Sequence, residues 1–160
     1  MVTRFVSHLP FLRLIAPPLD RLVARLTGGR RTLTGLLTGL PAVTLTTTGA
    51  RSGELRTVTL LGLRQGEDVV LIASNWGQKH HPAWYHNLRP NPRAMLALEG
   101  RDARPYDARE ATGAERERYW QRAVDLYPGY ARYARTAAPR HIPVLVLSPA
   151  EPLPESEELR

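Results

Sequence analysis

The chain has 160 residues, 42% hydrophobic and 23% charged, which suits one globular domain with a real core and excludes a disordered or membrane-embedded polypeptide. It carries 22 Lys and Arg against 15 Asp and Glu, a net charge of +7, and every basic residue except Lys79 is arginine. An anionic ligand or partner held by planar guanidinium forks is therefore expected, while the absence of cysteine excludes disulfides, thiolate zinc sites, iron–sulfur clusters and cysteine nucleophiles.

Residues 2–15 are apolar but interrupted by Arg4, His8, Pro10 and Arg13. That run is too short for a bilayer span and lacks the cleavage site of a signal peptide, so a cytoplasmic protein is expected. Val2, Phe5, Val6 and Leu9 recur at helical spacing, as do Leu19, Leu22, Val23 and Leu26. Pro18 and Asp20 suit the start of the second helix and Gly28-Gly29 its end. Six arginines against Asp20 give residues 1–31 a net charge of +5. Such a basic arm suits peripheral contact with an anionic membrane surface, and equally a helix packed on its own domain with solvated arginines.

Beyond Pro41 the pattern changes to strands. Ala42–Thr48 is rich in β-branched residues, 56–63 reads as a second strand, and 64–68 is a hairpin turn before the apolar run 69–73. Residues 74–82 form a polar loop, and Pro82 opens a short helix through Leu88 that Pro90-Asn91-Pro92 stops. Residues 94–99 and 103–110 read as a hairpin turning near Gly100. Thr112 with Glu115 three residues on forms a capping-box signature for a helix to about Leu126. Pro128-Gly129 breaks it, a short helical turn follows, and 143–148 is the last strand. The chain thus divides into an arm (1–31), one domain (32–149) and an acidic tail (150–160), the domain being α+β and barrel-like.

Four places carry candidate chemistry. In Thr46-Thr47-Thr48-Gly49-Ala50-Arg51-Ser52-Gly53-Glu54-Leu55-Arg56, two glycines let backbone N–H groups converge on an anion, and Arg51 and Arg56 add bidentate donors. The same residues also make an ordinary glycine turn between strands. The stretch Ser74-Asn75-Trp76-Gly77-Gln78-Lys79-His80-His81-Pro82-Ala83-Trp84-Tyr85-His86-Asn87 places amides, imidazoles and two indoles before a helix start, a setting for an aromatic or anionic ligand. His80, His81 and His86 lack the spacing of a metal motif, so no metal is expected. Tyr127, Tyr130 and Tyr133 fall three apart, close enough on a helix to line a pocket or simply to pack on the barrel. No Gly-x-Ser-x-Gly elbow and no dinucleotide fingerprint is present.

Leu45-Thr46-Thr47-Thr48-Gly49, Arg51-Ser52-Gly53 and Arg56, followed by Ala73-Ser74-Asn75 and His81-Pro82-Ala83-Trp84-Tyr85-His86-Asn87-Leu88, together resemble the deazaflavin-dependent nitroreductase family of actinobacteria. Tyr127-Pro128, Tyr130 and Tyr133 match a third family feature, and the resemblance runs from about Leu26 to Leu147. It implies a split β-barrel of the FMN-binding-like type, with about six antiparallel strands and N-terminal and inserted helices. The implied cofactor is coenzyme F-420, a reduced 8-hydroxy-5-deazaflavin. By the same resemblance, Ala50, Arg51, Ser52 and Arg56, with Thr57 and Val58 beside them, bind the phosphate and nearby tail. Thr59, Leu60, Leu61, Ser74 and Asn75 flank the ring, and Ala83, Trp84, Tyr85, His86 and Asn87 form the remaining wall. Trp76, Tyr127, Tyr130 and Tyr133 face the acceptor, Tyr130 closing the pocket or supplying a proton.

This chain departs from the family pattern twice: Ala50 replaces a frequent basic residue, and Asn75-Trp76-Gly77 replaces a Lys-Gly-Gly stretch, so that Trp76 narrows the acceptor pocket. The implied activity is hydride transfer from the ring's C5 to an electron-poor small molecule such as a quinone, enone or nitroaromatic. Protonation would come from Tyr130 or solvent. A coenzyme that carries hydride asks the protein for no metal or covalent nucleophile. Competing readings are an FMN- or haem-binding split barrel and a basic nucleic-acid-binding module. The arginines are spread along the chain and no RNA-binding strand motif accompanies them, so no nucleic acid is expected.

Overall fold

The computed structural model describes residues 41–98 and 101–151. The expected N-terminal helices, the basic arm with its membrane contact, the turn near Gly100 and nearly all of the acidic tail lie outside the described residues. Six strands, β1 (Ala42–Thr48), β2 (Leu55–Gln65), β3 (Asp68–Ile72), β4 (Arg93–Leu98), β5 (Arg104–Glu110) and β6 (Val144–Pro149), close into a barrel ordered β1-β2-β3-β6-β5-β4. All neighbouring strands are antiparallel. Helix α1 (Ala83–Leu88) lies between β3 and β4, and α2 (Gly113–Leu126) and α3 (Gly129–Ala137) lie between β5 and β6.

The two-residue period of a strand sorts the side chains. Val43, Leu45, Val69, Leu71, Leu96, Leu145 and Leu147 join a cluster to which every strand contributes, with Val58 and Leu60 from β2 and Tyr106 from β5. That cluster fills the barrel. The intervening Val70, Ile72, Val144 and Val146 pack instead with Tyr119 and Ala123 of α2 and Tyr130, Tyr133 and Ala137 of α3. β3 and β6 are therefore buried on both faces, which is why they read as unbroken apolar runs. Trp84 and Leu88 of α1 belong to the barrel-filling cluster, and burying such side chains is worth about 1.5–3 kcal/mol each.

Two expectations change. Thr112 stands at the N-cap of α2 but makes no side-chain capping bond. The capping box does not form because Glu115 turns to Arg109, accepting two bonds at 2.7 and 2.8 Å from its guanidinium. The helical turn after Pro128-Gly129 is a full nine-residue helix. Gly129 starts it because the Tyr127 ring lies where a Cβ would stand.

Candidate functional site

The hairpin between β1 and β2 is closed by Gly49 N–H donating to the Glu54 carbonyl and Gly53 N–H to the Gly49 carbonyl, both at 2.8 Å. A side chain at Gly49 would meet Ser52 Oγ at 2.7 Å, and Gly53 takes φ +71° with open space around it. Both positions therefore favour glycine. Arg51, Ser52 and Arg56 are exposed at this tip. Arg56 is ion-paired with Glu54, and Ser52 Oγ accepts the Glu54 N–H at 3.3 Å.

Helix α1 reaches this turn across the barrel mouth. The Ala50 N–H donates to Asn87 Oδ1 at 3.0 Å. Asn87 Nδ2 donates to the buried Thr47 Oγ1 at 3.0 Å, and that hydroxyl faces the Arg56 carbonyl at 3.5 Å. Asn87 thus works as a tie between α1 and the turn, its amide engaged with the protein at both ends.

The loop after β3 makes the opposite boundary. Asn75, Trp76 and Gly77 all have positive φ, at 46°, 56° and 73°. Left-handed backbone costs a non-glycine L-residue roughly 1–2 kcal/mol, so this turn persists only because its surroundings hold it. Gly77 presses on the Tyr133 backbone, leaving no room for a side chain. Trp76 meets Tyr133 edge-on at 6.2 Å between centroids. The rings of Tyr127, Tyr130 and Tyr133 meet edge-to-face at 5.5–6.2 Å, and the Tyr127 and Tyr133 hydroxyls are 3.2 Å apart.

One groove of about 1510 Å³ joins these parts, lined by the turn, by β2 and by the ends of the loop and helices. Ala50, Arg51, Ser52, Arg56, Thr57, Val58, Thr59, Leu60, Leu61, Ser74, Asn75, Trp76, Ala83, Trp84, His86, Asn87, Tyr127, Tyr130 and Tyr133 all line it. Tyr85 does not. Its hydroxyl donates to Glu110 at 3.0 Å and its ring stacks on His81 at 4.8 Å, because one helical residue beyond Trp84 the side chain leaves at a different angle. Thr47, Gln78, His80, His81 and Pro82, which belong to the two candidate stretches but were given no role of their own, also line the groove. The amide of Asn75 donates to His80 Nδ1 at 3.1 Å and to the His80 carbonyl at 3.0 Å.

Burial pushes the Tyr130 phenol well above the usual tyrosine range. His81 is held below 6.5, first by burial and then by the Arg140 guanidinium. No cluster of three metal-ligating side chains occurs among the described residues, and none of their helices is long and apolar enough to cross a membrane. The groove has a cationic end, an apolar middle at Val58, Leu60 and Trp84, and an aromatic end, and it exceeds the roughly 300–1,000 Å³ of a pocket for a compact ligand. It fits an elongated molecule with an anionic arm and a flat ring.

Residues 20–149 match the family model described as F-420H(2)-dependent quinone reductase. A Mycobacterium tuberculosis protein named F-420H(2)-dependent quinone reductase is 34% identical over 116 residues, covering 68% of this chain and 73% of that one. A solved structure described as an F-420-H(2)-dependent reductase superposes with a TM-score of 0.60 at 38% identity, covering 68% of this chain and 94% of that chain. Another, described as a domain-swapped dimer, gives the same score and identity over 68% of this chain and 80% of its own.

Proposed function

The chain belongs to the F-420H(2)-dependent quinone reductase family, and from that premise we propose that its groove binds reduced coenzyme F-420 and presents it to a quinone. Membership of this family favours the deazaflavin reading over an FMN, haem or nucleic-acid site. Support for the placement comes above all from one observation: the glycine turn and α1, 37 residues apart in sequence, meet through Ala50 and Asn87 on a single groove.

The bound coenzyme supplies a hydride, so the protein's part is to bind, orient and exclude water. Arg51, Ser52 and Arg56 take the phosphate and the start of the acidic tail through charge-assisted bonds. Val58, Leu60 and Trp84 give the ring a flat apolar wall, and Trp76 with Tyr127, Tyr130 and Tyr133 encloses the acceptor. Of the two expected proton sources, solvent at the groove mouth is favoured. Tyr130 is so deeply buried that its phenol keeps its proton, which suits hydrogen-bond donation to an acceptor oxygen better than proton release.

The test is coenzyme oxidation in a mixture of protein, reduced F-420 and menadione. Turnover well above the protein-free rate is expected. No oxidation above background, with oxidised F-420 still binding, removes the quinone assignment. No binding at all removes the coenzyme.

A further inference from the structure

Arg140, just before β6, contacts more of the site than any motif in the sequence announced. Its Nε donates to the Gln78 carbonyl at 2.9 Å and its Nη2 to the Ser74 carbonyl at 2.7 Å. Its Nη1 donates to the Ala73 carbonyl at 3.1 Å and faces His81 Nδ1 at 3.2 Å. A guanidinium only donates. His81 Nδ1 must therefore be the bare, accepting nitrogen, which leaves its proton on Nε2.

These contacts bracket the left-handed turn. The Ala73 and Ser74 carbonyls precede Asn75, Trp76 and Gly77, and the Gln78 carbonyl follows them. The Lys79 ammonium adds a bond to the Ala138 carbonyl at the end of α3, and Gly77 sits against Tyr133. The turn is thus held from the side of α3 and the segment after it, and both Trp76 and His81 line the groove.

We propose that Arg140 is a positioning residue: its fork on three loop carbonyls and His81 Nδ1 holds Trp76 in its strained wall position and presents His81 to the groove as a neutral Nε2–H donor. The functional arm of this proposal rests on the reading of the groove given above; the tautomer arm does not. Lysine cannot replace Arg140, because its single ammonium does not reproduce a planar fork on four acceptors.

The decisive measurement is the nitrogen-15 spectrum of the histidine rings in the ligand-free protein, with His81 assigned by its loss in His81→Gln. The charged and titratable neighbours of His81 are Arg140, His86, Glu110, Arg89, the Tyr85 phenol and His80, whose Nδ1 lies 3.3 Å from the His81 carbonyl, and all but Arg140 are left in place. Wild type is expected to show a bare Nδ1 and a protonated Nε2 at neutral pH. In Arg140→Met and Arg140→Lys the tautomers mix, and in Arg140→Met, which also removes the positive charge beside the ring, the titration midpoint rises. In both variants menadione kcat/KM falls about 10- to 100-fold, the scale of a misplaced reacting partner. Affinity for oxidised F-420 falls by less than kcat/KM does, since the contacts of Arg51, Ser52 and Arg56 are a separate set.

A wild-type His81 protonated on Nδ1 overturns the proposal without needing any variant to fold. So does an Arg140→Lys protein that keeps both tautomer and turnover. A correct tautomer in a wild-type protein that does not oxidise reduced F-420 with menadione refutes the quinone reading and leaves the Arg140 clasp standing.

Discussion

At one end of the groove Arg51, Ser52 and Arg56 stand exposed on a tight hairpin, while at the other Tyr130 and Tyr133 are 5% and 8% exposed and embedded between α3 and the barrel. The first end offers charge in solvent, where each interaction is screened. The second offers shape, using side chains that also hold the fold together. A substitution at the cationic end therefore changes affinity and little else, whereas one at the aromatic end changes stability and specificity together.

The sharpest break of that contrast is Tyr130→Ala, which is expected to cost about 3–5 kcal/mol of stability, as large-to-small changes of buried aromatics do. Denaturant unfolding measures it, with Tyr130→Phe as the control. If the phenol acts only as wall, the Phe variant keeps both stability and menadione turnover; a selective loss of turnover assigns the hydroxyl a role at the acceptor. Next is Asn87→Ala, which strips the Ala50 N–H and the buried Thr47 hydroxyl of a partner. A loss of about 2 kcal/mol is expected in thermal unfolding, the scale of unsatisfied buried polar groups, together with weaker coenzyme binding by titration. This variant crosses the divide, because the exposed end depends on a buried amide. The smallest effects belong to the surface pair. Arg56→Ala should weaken F-420 binding by about 1.5 kcal/mol, the low end for bonds to a charged group because the guanidinium is exposed. Glu54→Gln should tighten it by up to about 1 kcal/mol by freeing Arg56 from its ion pair. Opposite signs in one fluorescence titration identify Arg56 as the anion contact; equal affinities move the anion elsewhere.

Much of this arrangement is legible in the residues. The threonine alternation of β1, the two glycines of its turn and the proline-opened α1 are local signals, and local signals survive folding. The convergence of turn and helix came from motif resemblance, because nothing in either segment encodes the other's position. Arg140 was invisible for a similar reason: three of its acceptors are backbone carbonyls 62 to 67 residues away, and carbonyls have no sequence signature. The capping box failed by competition, since Arg109 offered Glu115 two bonds where the backbone offered one. Tyr85 is different. It was assigned to the same wall as its neighbours, yet at about 100° per residue Ala83, Trp84, His86 and Asn87 share one arc of the helix and Tyr85 falls opposite it, so helical periodicity alone separates them.

β1 is paired along one edge with β2 and along the other with β4, so the strand that carries the cationic hairpin has no slack to yield to an arriving anion. On the proposed reading, accommodation of the coenzyme's phosphate falls to the rotamers of Arg51 and Arg56. Immobilising a long side chain costs up to about 2 kcal/mol of entropy, so the disorder surrendered on capture is confined to two flexible arms above a scaffold already set in its final shape.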